Sequence, residues 1–577
     1  MCGITSIIGN YDINFIIDSL QKLQNRGYDS AGLSINNNSN FKILKELNKE
    51  SIDNLSLKLN ENKHENNFNN VIAHTRWATH GGITINNCHP HLSNNKKICL
   101  VHNGIIENYS EIKNFLLKEK FEFYSETDSE VIVNLIEYYS RINTFEEAIL
   151  LCLNKCVGTW GLVIQHVEYP KKQFAIKNGS PLLIGKNENY KIITSETSGF
   201  NNLINNYHEL LSNELYIVSA SSVKTFNNKD ILYDKKNILD ETELLNEYSH
   251  YIIKEIYEQK NIVTKITNNG GRIKNNKVKL GGLFHQKNHI LNCDNIVLFG
   301  CGTSYNSCLY SIYHFNKLCK FKNVIAIDAC NYSELLLPKG KNCYIFISQS
   351  GETKDLYSVL TQIKNNIHIN GITIGVINKV DSLIARTVDC GVYLNIGKEM
   401  SVASTKVFLA QSLMLVLIAL YLSDSNKILY NNYINSIRNL ESIVEIELNK
   451  KIDIENFNNG YILANNSLYP IALEGALKFK EITYSHIEAL SINSLKHGPL
   501  ALVSDNNFVN IILGKNESAC QEILARNGKI INIIIEYNNI FNDLLYIIHI
   551  QRYNYLLSIL KNINPDYPRN LAKVVTV

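Results

Sequence analysis

At 577 residues the chain is too long for one hydrophobic core, so two to four domains are expected. An apolar content of 45%, a charged content of 19% and a net charge of +3 describe a globular protein. They exclude a disordered chain, and no basic arm or acidic tail points to nucleic acid or a membrane surface. The 13 cysteines are odd in number and scattered, which fits reduced thiols and a cytoplasmic protein rather than a disulfide framework. No basic segment followed by an apolar run opens the chain, so no signal peptide is expected. The longest apolar run, Leu413–Leu422, is far short of the ~20 residues that span a bilayer. It reads as a buried helix.

The chain opens Met1-Cys2-Gly3-Ile4. Removal of Met1 would place a thiol and a free α-amino group on one residue. An α-amino group has a reference pKa of about 7.7–8.0, so it can accept the thiol proton near neutrality. The thiolate is the reactive form of cysteine, and pairing with a terminal amine is a recognised activation. Ile4–Gly9 reads as a strand, and Ile13, Ile16, Ile17, Leu20 and Leu23 follow at helical spacing. Arg26-Gly27-Tyr28-Asp29-Ser30-Ala31-Gly32 reads as a turn into the next strand, and the Asn-rich stretches 36–40 and 60–70 as surface loops.

In His74-Thr75-Arg76-Trp77-Ala78-Thr79-His80-Gly81, Arg76 could grip a carboxylate with two prongs or form a surface ion pair. Cys88-His89-Pro90-His91 lacks the paired cysteines of a zinc site. His74, His80 and His102 read as hydrogen-bonded structural residues. A strand at 98–102 leads into Asn103-Gly104, which is either an ordinary turn or a pair of oxyanion donors, each worth ~2.7–4 kcal/mol in such a role. Thr127-Asp128-Ser129-Glu130 reads as a capping box, and Asp128 either complements the helix dipole or holds an ammonium group. Further strands are expected at 157–167, 173–176, 192–195 and 215–218, giving an α+β layered domain.

Residues 234–249 read as a charged connector, and His250-Tyr251 opens a helix. Three buried-type strands follow, at 295–299, 343–347 and 372–377. The first exits into Gly300-Cys301-Gly302-Thr303-Ser304 and the second into Ser348-Gln349-Ser350-Gly351-Glu352-Thr353. Glycines and hydroxyls at strand exits make nests for a phosphate or sugar, or simple capped turns. Ser401-Val402-Ala403-Ser404-Thr405-Lys406 precedes the apolar helix. Alternation of strand and helix implies a doubly wound parallel sheet with ligands at its carboxyl edge. Neither a dinucleotide fingerprint nor a Walker A motif is present. A second α/β unit starts at 460–464, and Glu474, Lys478 and Glu481 share one helix face as a solvated stripe or a site. Leu495-Lys496-His497-Gly498-Pro499 follows, and Pro568-Arg569-Asn570-Leu571-Ala572-Lys573 reads as a tail built to dock.

The motifs around Cys2, Arg26–Gly32, His74–Gly81, His102–Gly104 and Thr127-Asp128 resemble, in order and spacing, the class II glutamine amidotransferases. The later motifs resemble the paired sugar-isomerase (SIS) domains of the glutamine:fructose-6-phosphate amidotransferase family. The resemblance covers nearly the whole chain. It implies a layered αββα N-terminal-nucleophile glutaminase over residues 2–240, then two doubly wound α/β SIS domains over 250–440 and 441–577.

It further implies that Cys2 attacks the glutamine amide, that Asn103 and Gly104 stabilise the oxyanion, and that Arg76, Asp128 and His89 help to bind glutamine, with Trp77 gating an ammonia path. Ser348, Gln349, Ser350 and Thr353 would hold the sugar phosphate, and Cys301, Gly302, Thr303, Ser304, Val402 and Ser404 would line the sugar site. His497, from a neighbouring subunit of a homodimer, would open the ring. Lys573 would form a Schiff base, Glu481 would move a proton and Lys478 would assist. No metal or organic cofactor is implied. Ser494, Asn465-Asn466, a shortened segment before Gln551 and a missing final acidic residue depart from the family pattern. The rivals are weaker: neither a phosphoribosyl-pyrophosphate loop nor an ATP-binding Ser-Gly-Gly loop is present, and a sugar-sensing SIS regulator would need neither Cys2 nor Lys573.

Overall fold

The structure is a computed structural model. It describes every residue except 1, 25–26, 38–39, 49, 62–68, 77–81, 202, 205, 228, 230, 232–233, 236–244, 246, 367–370, 381, 505–507, 572 and 574–577. The chain divides into a unit of Met1–Thr242 with Ala572–Val577 and a unit of Glu243–Leu571.

Alternation within nearly unbroken apolar strands builds the first unit. In Gly3–Gly9, Ile4 and Ile8 point to one side and Ile7 to the other, yet all are buried. A strand buried on both faces lies inside a stack, and that is what is found. One antiparallel sheet has eight strands among the described residues, with Gly3–Gly9 between Asn70–Arg76 and Tyr190–Thr194. A second has six, centred on Ile98–Ile106, Gly158–His166 and Gln173–Asn178. Ile4, Ile8, Ile72 and Ile193 of the first meet Cys99, Val101, Val163 and Ala175 of the second.

The outer face of the first sheet, with Ile7, Leu33, Ile35 and Val71, packs on helices Asn14–Leu23 and Ser51–Glu61 through Ile16, Leu20, Leu55 and Leu59. The outer face of the second, with Leu100, Leu162 and Ile164, packs on helices Asp128–Ser140 and Phe145–Lys155. This is the layered αββα arrangement.

Two local expectations fail here. Thr127 precedes helix Asp128–Ser140, but its side chain makes no cap. The Glu130 carboxylate instead accepts from the Tyr124 and Ser125 N–H groups and the Ser125 hydroxyl, while the Thr127 hydroxyl turns to His91 Nε2, 3.1 Å away. A true capping box joins Thr144 and Glu147. The Asn-rich stretches are not loops throughout: Asn36 and Asn70 are buried ends of strands, and Asn70 Oδ1 accepts from the Gln165 and Gln173 amides.

The second unit holds two parallel sheets. The first runs in spatial order Asn323–Asp328, Asn295–Gly300, Asn342–Ser348, Gly371–Ile377, Cys390–Tyr393. In chain order this is 2-1-3-4-5, whose switch point lies between the first and third strands, where open sheets of this kind bind ligands at the carboxyl ends. The second runs His486–Ser491, Asn459–Ala464, Phe508–Leu513, Lys529–Ile533, the order 2-1-3-4. Helix Lys406–Tyr421 is buried along its whole length, and it shares one continuous core with helix Asn542–Leu560 and both sheets. Among the described residues no helix is long and apolar enough to cross a membrane.

The unit's final segment is tied down by one carboxylate. Asp566, buried, accepts from the Tyr251 and Ile252 N–H groups at 2.8 Å each, capping helix Tyr251–Tyr257, while its own carbonyl accepts from Val402 N–H at 3.1 Å.

Candidate active site

Two polar clusters stand out, one in each unit. In the first unit, strand Gly3–Gly9 begins one residue after Cys2. Its start is fixed by Gly3 N–H donating to Thr75 Oγ1 and Ile4 N–H donating to Ser195 Oγ, each at 3.0 Å. A side chain at Gly3 would meet Leu23 Cβ at 2.7 Å, so this approach requires glycine. Asn103 Nδ2 donates to the Cys2 carbonyl at 2.9 Å, and Asn103 Oδ1 lies 3.1 Å from His74 Nε2. Burial pushes His74 down to about 3, so it is neutral and donates through Nε2 to Asn103 Oδ1 and to the His102 carbonyl. That bond turns the two amide hydrogens of Asn103 toward Cys2.

Asn103 and Gly104 are not a turn. They lie inside strand Ile98–Ile106, and Gly104 has a φ of +136°, where a Cβ would meet the Thr159 carbonyl oxygen at 2.1 Å. A left-handed residue within a strand re-aims the local N–H groups.

Arg76 ends strand Asn70–Arg76, is buried, and donates through Nη1 to the Gly82 carbonyl at 3.2 Å. Asp128 is also buried; its Oδ2 accepts from Ile106 N–H at 2.8 Å. His89 is buried against His74 and His91, with ring centroids 4.1 and 4.6 Å away, and burial lowers its pKa well below the usual histidine range. His102 Nδ1 meets the Ser129 hydroxyl at 2.9 Å. The readings of Trp77 and His80 fall outside the described residues.

In the second unit the first-strand exit and a later helix meet. Thr303 and Asn306, in the first turn of helix Thr303–Leu318, donate to the two oxygens of Glu474 at 3.0 and 2.8 Å. Lys478 Nζ lies 3.4 Å from Glu474 Oε1, 2.6 Å from Glu481 Oε2 and 3.2 Å from Thr303 Oγ1. Glu474 and Lys478 are fully buried. Burial raises the Glu474 pKa, against the opposing charge of Lys478. For Lys478 burial works downward, but the two carboxylates outweigh it and keep the amine protonated.

Of the two readings of this face, stripe or site, the structure shows a buried charge cluster and not a solvated stripe, and the helix is not regular through it. The α-helix ends at Lys478, and Phe479–Thr483 forms a π-turn closed by left-handed Tyr484. Single π-turns mark functional sites often. Here the turn carries Glu481 round toward Lys478. Arg569 N–H donates to the Tyr484 hydroxyl at 2.8 Å, and its guanidinium stacks over that ring.

Beside this cluster, Gln411 Nε2 donates to Ser304 Oγ at 2.9 Å. Gly302 caps the helix with a φ of +53°. At the third strand's exit, Ser348 Oγ lies 3.1 Å from Thr353 Oγ1 and accepts from Gly351 N–H; Ser350 Oγ accepts from Glu352 N–H. A side chain on Gly351 would strike Ser382 Oγ at 1.9 Å. Val402 is buried and Ser404 half-buried on the segment held by Asp566. His497 is exposed at the end of a 3-10 turn, and Lys573 is half-buried.

Asn306 and Gln411 were not singled out as site residues from sequence, whereas Glu474 was read with Lys478 and Glu481 as a stripe or a site. Gln411 carried a readable signal, an amide inside an otherwise apolar helix.

A glutamine amidotransferase domain profile matches residues 75–202, and a SIS domain profile matches residues 289–421. Over the full length of both chains, the sequence is 36% identical to a probable glutamine--fructose-6-phosphate aminotransferase (isomerizing) of Acanthamoeba polyphaga mimivirus. It is 33% identical, again over 100% of each chain, to the glutamine--fructose-6-phosphate aminotransferase (isomerizing) of Buchnera aphidicola subsp. Baizongia pistaciae. Among solved structures, the C-terminal domain of glucosamine-fructose-6-phosphate aminotransferase from Francisella tularensis is 26% identical. That alignment covers 56% of this chain and 99% of the other, with a TM-score of 0.49.

Fold and profiles define the class: a glutamine amidotransferase domain of antiparallel sheets followed by parallel α/β SIS sheets. The chain belongs to the glutamine--fructose-6-phosphate aminotransferase (isomerizing) family.

Proposed function

We propose that this chain makes glucosamine 6-phosphate and glutamate from fructose 6-phosphate and L-glutamine. The observation that carries the reading is end-to-end identity of 36% to a relative of that name, with a reactive cluster in each half.

In the first half, the Cys2 thiolate attacks the glutamine amide carbon. Negative charge develops on the carbonyl oxygen, within reach of the Asn103 amide and Gly104 N–H. The C–N bond breaks, ammonia leaves with a proton, and a glutamyl thioester remains on Cys2. Water cleaves the thioester to glutamate and restores the thiol. Arg76 pairs with the substrate carboxylate, Asp128 with its ammonium group, and His89 supports the pocket. Arg76 and Asp128 are both buried, and the Gly82 carbonyl and the Ile106 N–H hold their charged groups in place. Ammonia passes to the sugar site out of bulk water, where it would be protonated, and Trp77 gates that passage.

In the second half, Ser348, Gln349, Ser350 and Thr353 bind the phosphate, and Cys301, Gly302, Thr303, Ser304, Val402 and Ser404 line the sugar. Their positions at the switch-point edge support this. His497 opens the ring; its exposure fits delivery to the neighbouring subunit of a homodimer. Lys573 forms the Schiff base with the ketose. Glu481 carries a proton from C1 to C2, turning ketose into aldose, and protonated Lys478 steadies the charge. We read the domains as 2–240, 250–440 and 441–577, in a cytoplasmic protein.

The test is product analysis after incubation with glutamine and fructose 6-phosphate, with two variants alongside. Cys2→Ala should lose glutamine-dependent product yet keep sugar isomerisation. Lys573→Ala should lose amino-sugar synthesis while glutamine hydrolysis persists. Equal loss of both activities in either variant contradicts the division of labour.

A further inference from the structure

Cys301 does not stand alone at the edge of the first parallel sheet. It follows strand Asn295–Gly300, whose last residue pairs in register with Asp328, the end of the neighbouring strand. The chain then turns through Ala329–Asn331, and Cys330 N–H donates to Asp328 Oδ1 at 3.1 Å. That turn brings the Cys330 thiol back over the sheet edge. The sulfurs of Cys301 and Cys330 and a carboxylate oxygen of Asp328 all lie within 4.8 Å of one another. Asp355, on helix Lys354–Asn365, stands outside that trio but beside one member: the Cys330 thiol points at Asp355 Oδ2, 3.8 Å away.

We propose that Cys301, Asp328, Cys330 and Asp355 form a binding site for a thiophilic divalent cation such as Zn²⁺, and that its occupancy excludes the sugar phosphate. Two soft sulfurs and two carboxylates suit tetrahedral zinc, with bonds of about 2.3 Å to sulfur and 2.0–2.2 Å to oxygen. Those bond lengths set neighbouring donors about 3.5–3.8 Å apart. Closing the site therefore takes small side-chain shifts, and Cys330 is exposed and has room to make them. A divalent cation would take the place of the two thiol protons among these donors.

The exclusion rests on the proposed function, in which Cys301 lines the sugar pocket and Asp355 follows the phosphate loop. A metal tying Cys301 to Cys330 draws that side chain out of the pocket and stiffens the loop between the two strand exits.

Co²⁺ is the probe, because thiolate ligation gives an intense near-ultraviolet charge-transfer band that needs no enzyme activity. Full-length protein titrated with Co²⁺ should develop the band. In Cys330→Ala, an exposed substitution outside the catalytic machinery, it should be lost, with Co²⁺ affinity at this site down by about 100-fold or more. Fructose 6-phosphate should shift the wild-type titration to higher Co²⁺. Zn²⁺ should raise the apparent KM for fructose 6-phosphate in isomerisation without glutamine, in wild type and not in Cys330→Ala. Identical bands and midpoints in the two proteins overturn the site. A band lost in Cys330→Ala but indifferent to sugar phosphate overturns the exclusion. A band present in a protein that isomerises no fructose 6-phosphate counts against the proposed function and leaves the metal site standing.

Discussion

Replacing Lys478 by Met should unfold the second unit more readily, in a way that pH controls. Lys478 is fully buried and faces Glu474 and Glu481, and Glu474 has no exposed surface. Removing one member of a buried ion pair costs about 3–5 kcal/mol, because the remaining charge is left in a poor solvent. The Thr303 and Asn306 donors to Glu474 remain and place the expected loss near the lower end, about 3 kcal/mol. Neutralising the survivor should restore most of it: in Glu474→Gln/Lys478→Met the amide can still accept from Asn306 and donate to Thr303. The double variant should fall within about 1 kcal/mol of wild type, since buried pairs and neutral replacements are often equivalent.

The sign of the pH effect follows from Glu474. Its folded pKa is raised by burial and rises further without Lys478. A carboxylate raised in the folded state favours folding below its unfolded value, about 4.3–4.5, and loses that contribution as pH climbs through the folded value. The Lys478→Met deficit should be full at pH 7.5 and vanish toward pH 4.5. Urea unfolding followed by circular dichroism measures it. Both tryptophans, Trp77 and Trp160, belong to the first unit, so their emission is the internal control. A deficit under about 1 kcal/mol, or one flat with pH, would mean that water reaches the cluster and the argument fails.

Asn103→Ala should lower kcat for glutamine hydrolysis by about 10²–10³ and leave sugar isomerisation intact; a change in KM alone would remove Asn103 from the oxyanion role. His314 is pushed down to about 3 by burial. Its unfolded value is near 6.5, so it favours folding above pH 6.5 and costs about 1.4 kcal/mol per pH unit below that. His314→Gln should flatten the acid limb of second-unit stability between pH 6.5 and 5, and an unchanged slope would contradict the assignment. Asp566→Ala strips the Tyr251 and Ile252 N–H groups of their acceptor and should cost about 1–2 kcal/mol. Limited proteolysis near residue 250 reads this, with Asp566→Asn recovering part of the loss.

Much of the fold was legible because its strands are buried on both faces and advertise themselves as apolar runs. Ile4–Gly9, 295–299, 343–347 and 372–377 each match an observed strand to within a residue or so. What was not legible depends on atoms far away in sequence. Thr127 looked like a cap, but His91 and Ser125 compete for its hydroxyl and the backbone turn at 124–125 claims Glu130. Asn103-Gly104 could be read as a turn from composition alone, and nine residues of pairing with Gly158–His166 hold it in a strand instead. Glu481 shares a face with Lys478 by spacing, but the π-turn that aims it leaves no signature in a single sequence. The Cys301–Cys330 cluster was equally hidden, since its members are neighbours across strands and not along the chain.

The 2-1-3 strand order occurs twice in the second unit, yet the two copies contribute unlike things. One supplies the hydroxyl-rich loops and the Thr303–Asn306 donors; the other supplies the helix bearing Glu474 and Lys478. The two sheets thus share a strand order but divide the polar groups between them, so neither carries the whole cluster. Severing the chain between them should yield two inert fragments that regain competence only on mixing.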